Sequence, residues 1–230
     1  MKTNPTKLIT LILVTLTTIV ALADTPPPID PSSYTAPIRV ACVGDSITVV
    51  NSNTKQSWPD QLQAILGDKW VVKNFGVSGR TLLKKGDCPY WKVPAFKDAH
   101  SFNPDVVIIM LGTNDTKPQN WVRFEDFSHD YRDLVDSFKK LSSSTHIFIC
   151  HPPPVFGGGK YGINEANVLK ELEVIDRVAA DEGVNVIDIH GAMANNPELF
   201  GDGVHPIPAG SGVMAKTIAA ALTPQSAPAN

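Results

Sequence analysis

The chain is short of cysteine, of net charge and of long apolar runs, and each shortage removes a class of protein. Three cysteines in 230 residues cannot build a disulfide framework, and their spacing fits no metal finger. Acids outnumber bases, 23 Asp and Glu against 20 Lys and Arg, for a net charge of −3. No basic surplus exists to hold a phosphate backbone, so no nucleic-acid partner is expected. The sequence G-x-x-x-x-G-K-[ST] does not occur, and no nucleotide-binding loop is expected. The six histidines (His100, His129, His146, His151, His190 and His205) include no H-x-x-x-H pair, which argues against a zinc site; no metal and no cofactor is expected. With 43% hydrophobic and 19% charged residues, wholesale disorder is excluded as well.

The one apolar run of note, Leu8 to Leu22, covers 15 residues, short of the ~20 that span a bilayer. It follows Lys2 and Lys7 and ends in Ala21-Leu22-Ala23, a small-residue cleavage pattern. Residues 1–23 therefore read as a signal peptide rather than an anchor. The expected location is exported, periplasmic or extracellular, with no stable membrane insertion after cleavage. Residues 24–37 (DTPPPIDPSSYTAP) read as a Pro-rich linker with no core of its own, and residues 223–230 as a flexible tail. That leaves one domain, 38–222, long enough for a sizeable core. Cys42 and Cys150 end or interrupt apolar runs and Cys88 sits in a loop, so no structural disulfide is expected.

Five short β-branched runs recur: Ile38–Val43, Trp70–Phe75, Asp105–Leu111, His146–Cys150 and Asn185–Ile189. Continuous apolar stretches such as VVIIML suit strands buried on both faces. Helix patterns lie between them. Ser57 and Pro59 open one helix at Trp58–Leu66; Phe124, Phe127, Tyr131, Leu134, Phe138 and Leu141 make a stripe at helical spacing. Asn164 precedes Val168, Leu172, Ile175 and Val178, and a last helix follows Pro206 or Pro208. Strand–helix alternation implies parallel βαβ units in a doubly wound α/β sandwich, whose ligands bind at the carboxyl ends of the strands.

Four polar blocks fall at those ends. They are Gly44-Asp45-Ser46-Ile47-Thr48, Gly76-Val77-Ser78-Gly79, Gly112-Thr113-Asn114-Asp115 and Asp202-Gly203-Val204-His205. Singly, each has an ordinary reading as a helix cap or turn. Together they supply the parts of acyl transfer. Ser46 is a hydroxyl nucleophile that needs a base, His205 is that base, and Asp202 can fix its tautomer. The backbone N–H groups of Ser46 and Gly79 and the Asn114 amide are candidate oxyanion donors. An α/β-hydrolase elbow, G-x-S-x-G, is excluded because Thr48 stands at the second glycine.

All four blocks, in this order, resemble those of the SGNH (GDSL-type) hydrolases over about Ile38 to Leu222. The resemblance implies a flavodoxin-like three-layer α/β/α sandwich with a five-stranded parallel sheet. It also implies Ser46, Asp202 and His205 as catalytic residues and Ser46, Gly79 and Asn114 as oxyanion donors. GDSIT stands here where the family name has GDSL.

The loops beyond the blocks are polar and aromatic, with no lid insertion. Asp45, Tyr90, Trp91, Trp121 and Phe156 are candidate substrate-binding residues, the aromatics being suited to sugar rings. This loop set resembles exported carbohydrate and sialate O-acetylesterases within the family. The expected function is a carboxylic ester hydrolase acting on O-acyl, preferably O-acetyl, esters of a glycan or an acylated small molecule through an acyl-enzyme. A lipid esterase, lysophospholipase or thioesterase would use the same three residues; a non-catalytic glycan-binding module is the alternative outside enzymes.

Overall fold

The computed structural model describes residues 28–142, 144–158 and 160–223. Residues 1–23, read above as a signal peptide, the first four residues of the linker reading (24–27) and the tail from residue 224 lie outside the described residues. In chain order the elements are β1 (Ile38–Gly44), α1 (Ser46–Val49), α2 (Trp58–Leu66), β2 (Trp70–Gly76), α3 (Pro94–Ser101) and β3 (Val106–Met110). There follow α4 (Pro118–Trp121), α5 (Phe127–Lys139), β4 (His146–Cys150), α6 (Glu165–Glu182), β5 (Asn185–Ile187), α7 (Ile189–Met193) and α8 (Pro208–Leu222).

The five strands form one parallel sheet in the order β2-β1-β3-β4-β5. Successive side chains of a strand point to opposite faces, and here both faces are covered. Ile38, Val40 and Cys42 of β1 pack with α2, α7 and α8, while Ala41 and Val43 pack with α3, α5 and α6. All five residues of β3 are buried, which accounts for its unbroken apolar run. The result is the flavodoxin-like three-layer α/β/α sandwich expected from the sequence.

Local signals place the helices. Ser57 and Asp60 form a reciprocal capping box at the start of α2, with Pro59 in the first turn, a device that stabilises a helix start by about 1 kcal/mol. Asn164 caps α6 by accepting from the Asn167 N–H. The stripe that begins at Phe124 is split: residues Phe124–Asp126 form a 3-10 turn, and α5 proper buries Phe127, Tyr131, Leu134, Val135 and Phe138. The linker reading needs correction at Ile29. Ile29 is fully buried in the core, and its N–H donates to the Leu222 carbonyl at 2.8 Å. An apolar side chain set among prolines is enough to dock the segment onto the end of α8. Cys42 and Cys150 are buried free thiols; Cys88 is a half-buried one.

The chain leaves β1 toward β2 on one side and returns to β3 on the other. β1 and β3 stay paired to their carboxyl ends, Gly44 opposite Met110, and the chain leaves those ends toward opposite edges of the sheet. This reversal of strand order opens a crevice, and the first and third polar blocks stand on its two sides.

Candidate active site

Ser46 is the first residue of α1, directly after β1. The fourth block folds as a tight turn ahead of α8. Asp202 Oδ1 accepts from the backbone N–H of Val204 (3.1 Å) and of His205 (2.8 Å), which carries the imidazole back over its own carboxylate. Gly203 makes the turn possible: its φ is +81°, and a Cβ there would stand 2.2 Å from the Phe156 carbonyl oxygen. His205 Nδ1 lies 2.9 Å from Asp202 Oδ2, and His205 Nε2 lies 2.8 Å from Ser46 Oγ. Hydroxyl, imidazole and carboxylate thus stand in one hydrogen-bonded line, drawn from segments 159 residues apart. Burial raises the Asp202 pKa, but hydrogen bonds from the His205 backbone, the His205 ring and the Val204 backbone outweigh it and hold the carboxyl well below the usual range. It is therefore an anion across the working pH range, able to hold Nδ1–H toward itself and leave Nε2 facing the hydroxyl.

Ser46 and His205 line a cavity of about 330 Å³ together with Ser78, Gly79, Asn114, Lys117, Tyr161 and Ile163. Gly79 adopts φ +77°, and a Cβ built on it meets no protein atom within 4 Å. Its glycine is demanded by backbone conformation, not by a crowded neighbour. Asn114 is almost wholly buried, and its Nδ2 donates to Asp45 Oδ2 at 2.9 Å. An amide nitrogen carries two N–H groups, so this bond orients the second.

The five substrate-binding candidates are not among the cavity-lining residues. Asp45 is buried. It caps α1 through the Ile47 N–H (2.9 Å) and holds the Asn114 amide, so it acts behind the site rather than on a ligand. Burial pushes its pKa up to about 6, against hydrogen bonds from Ile47 and Asn114 and the charges of His205 and Lys117. Tyr90 is a core residue whose hydroxyl donates to the Phe75 carbonyl at 2.8 Å. Trp91 donates to the Leu82 carbonyl (2.7 Å) and packs on Phe96 under the Lys84 ammonium. Trp121 stacks on Phe124 at 4.1 Å. Phe156 packs against Phe200, and its backbone bonds the Gly203 turn. Each aromatic packs against the protein's own residues, the commoner fate of a lone aromatic. Lys117, Tyr161 and Ile163 were not legible as site residues. Gly157 to Gly162 does carry G-x-G-x-x-G spacing, but it lies between the end of β4 and α6 outside any tight strand-to-helix turn, so that spacing is no nucleotide fingerprint here.

Two more buried acids stand in and against the third block. Asp115 accepts from the Leu82 N–H (3.0 Å) and the Leu83 N–H (2.8 Å), tying the chain after the second block to the third; burial pushes its pKa up to about 8. Glu171 of α6 is fully buried, and neither carboxyl oxygen has a hydrogen-bond partner among the described residues. Burial, then the charges of Asp115 and Asp45, push its pKa well above the usual 4.5. An acid raised in this way favours folding fully at low pH. Above its unfolded pKa the unfolded chain ionises while the folded chain stays protonated, so stability falls as pH rises. Glu171→Gln ionises in neither state. Its melting temperature relative to wild type is expected to rise steadily from about pH 5 to about pH 8, measured by thermal denaturation; a difference that does not change with pH contradicts the buried neutral carboxyl.

A flavodoxin-like sandwich with a hydroxyl, an imidazole and a carboxylate aligned at its topological switch has the layout suited to acyl transfer. The chain belongs to the GDSL-like Lipase/Acylhydrolase family, whose model matches residues 42–213. It is 41% identical over 207 residues to an acetylxylan esterase of Xylanibacter ruminicola, covering 80% of this chain and 43% of that protein. It is 30% identical over 118 residues to a multidomain esterase of Ruminococcus flavefaciens, covering 50% of this chain and 15% of that one. The chain thus spans less than half the length of both relatives. Among solved structures, a carbohydrate acetylesterase from Sinorhizobium meliloti superposes with a TM-score of 0.66 at 21% identity, over 79% of this chain and 96% of that one; at that identity it speaks to the fold alone. No helix among the described residues is long and apolar enough to cross a membrane.

Proposed function

We propose that this chain is a serine esterase that removes acyl groups, acetate above others, from a carbohydrate. The observation that carries the reading is the Ser46–His205–Asp202 line opening onto a cavity that also holds Gly79 and Asn114. Ser46 Oγ attacks the ester carbonyl carbon while its proton passes to His205 Nε2. The resulting oxyanion is met by the N–H groups of Ser46 and Gly79 and by the Asn114 amide. Collapse breaks the bond to the alcohol oxygen, which takes the proton from His205, and leaves an acyl group on Ser46. His205 then draws a proton from water, the hydroxide attacks the acyl carbon, and carboxylic acid leaves as Ser46 recovers its proton.

Two features support a small acyl group. At about 330 Å³ the cavity is at the low end for ligand pockets and must also admit part of the alcohol. Ile163, 3% exposed, closes it with an apolar side chain backed by Val155, Val168 and Val204. The 41% identity to an acetylxylan esterase supports an acetylated polysaccharide as substrate, and export to the periplasm or medium would bring the enzyme to it. The test measures acetate released from acetylated xylan beside turnover of chromogenic esters of increasing chain length. Acetate release together with the highest kcat/KM on the two-carbon ester is expected. A preference for long acyl chains, or no acetate from any acetylated glycan, contradicts the substrate reading.

A further inference from the structure

An ester has an acyl half and an alcohol half, and the proton carried by His205 tells them apart in space. Nε2 must reach the alcohol oxygen for the bond to break, so the sugar lies on the imidazole side of the site. Of the residues lining the cavity, Ser78, Lys117, Tyr161 and Ile163 have no part in the proposed bond-breaking, and Tyr161 alone among them carries an aromatic ring. Ile163 is buried. Tyr161 is 62% exposed, and its ring stands edge-on to the His205 ring with centroids 6.4 Å apart.

Tyr161 is also in an unusual backbone state. Its φ is +61°, a left-handed conformation that side chains other than Asn and Asp seldom adopt. Strain of this kind persists where surrounding structure enforces it, and the base of the loop is held. Gly162 packs against Pro118, which follows Lys117, and the side-chain amides of Asn164 and Asn167 donate to the Thr116 carbonyl at 3.4 and 3.1 Å. The loop is therefore anchored to the block that carries Asn114, and it sets the exposed Tyr161 ring beside the imidazole. A phenol ring offers a flat apolar face to the C–H side of a sugar, and the Lys117 ammonium offers three donors to its hydroxyls.

We infer that Tyr161 selects the alcohol half of the substrate: it is the aromatic platform on which the pyranose ring bearing the acetyl group stacks beside His205. The inference rests on the esterase reading above. It is tested by the selectivity ratio, kcat/KM on an acetylated xylo-oligosaccharide divided by kcat/KM on 4-nitrophenyl acetate, for wild type, Tyr161→Ala and Tyr161→Phe. Tyr161→Ala is expected to lower the ratio about tenfold, mainly through a higher KM for the oligosaccharide, and Tyr161→Phe to keep it within about threefold of wild type. An unchanged ratio in Tyr161→Ala overturns the platform, as does an equal loss on both substrates. A fall in Tyr161→Phe as large as in Tyr161→Ala also overturns it, because the hydroxyl and not the ring would then be the contact. Wild-type enzyme that cleaves 4-nitrophenyl acetate but no acetylated oligosaccharide overturns the carbohydrate reading itself, and the platform with it.

Discussion

Ser46→Ala is expected to lower kcat on 4-nitrophenyl acetate by about 10⁴–10⁶-fold, the range seen when a serine nucleophile of this kind is removed. The hydroxyl is hydrogen-bonded to His205 Nε2, and Ser46 lines the cavity and is only partly buried, outside the core. Its loss should therefore cost little stability, and the melting temperature should stay close to that of wild type. What survives is the stabilisation, by the oxyanion donors, of the charge that forms on the carbonyl oxygen when water attacks, which alone leaves a measurable rate above background. His205→Ala should fall in the same range. The double variant should be no slower than the worse single one, because the two groups act as a unit. Steady-state kinetics on the three variants checks this; losses that multiply in the double variant contradict a shared step.

Asn114→Ala is expected to lower kcat by about 10²–10³-fold with a much smaller change in KM, because an oxyanion donor acts on the charge that develops only in the transition state. Asp45 extends this prediction to pH. Its carboxylate accepts from the Ile47 N–H with one oxygen and from the Asn114 amide with the other, and its pKa is raised by burial to about 6. Below that value it is protonated, and one of two accepting oxygens becomes a donor facing an N–H. Activity should thus fall toward acid through loss of the hold on Asn114. Asp45→Asn, whose amide does not ionise in this range, should flatten the acid limb of log kcat/KM relative to wild type. An acid limb of the same shape in Asp45→Asn would show that Asp45 has no part in it.

Strands, helix starts and the four blocks were legible because their causes are local. β3 reads from an unbroken apolar run that two covered faces demand, and α2 from Ser57, Pro59 and Asp60 within one turn. The first turn of the α5 stripe was misread because Phe124 keeps helical spacing while the backbone tightens to a 3-10 turn. Side-chain direction in loops was the larger loss. Tyr90, Trp91, Trp121 and Phe156 all follow strand ends, as a ligand-binding aromatic would. Whether each turns outward or into its own loop depends on partners such as Phe75, Leu82, Phe124 and Phe200. Tyr161 was missed for the converse reason. Its place beside His205 follows from a left-handed backbone and from anchoring to Pro118 and Thr116, none of which shows in a glycine-rich stretch. Ile29 was missed because one apolar residue among prolines does not disclose that α8 ends beside it.

In the proposed reaction His205 activates the Ser46 hydroxyl for attack on an acyl carbon. Reaction with a fluorophosphonate, followed by intact-mass measurement and peptide mapping, reads that activation at the residue itself. One adduct per chain on Ser46 is expected, absent in Ser46→Ala and formed at least about a hundredfold more slowly in His205→Ala. An adduct on another residue, or labelling of Ser46 at the same rate without His205, contradicts it.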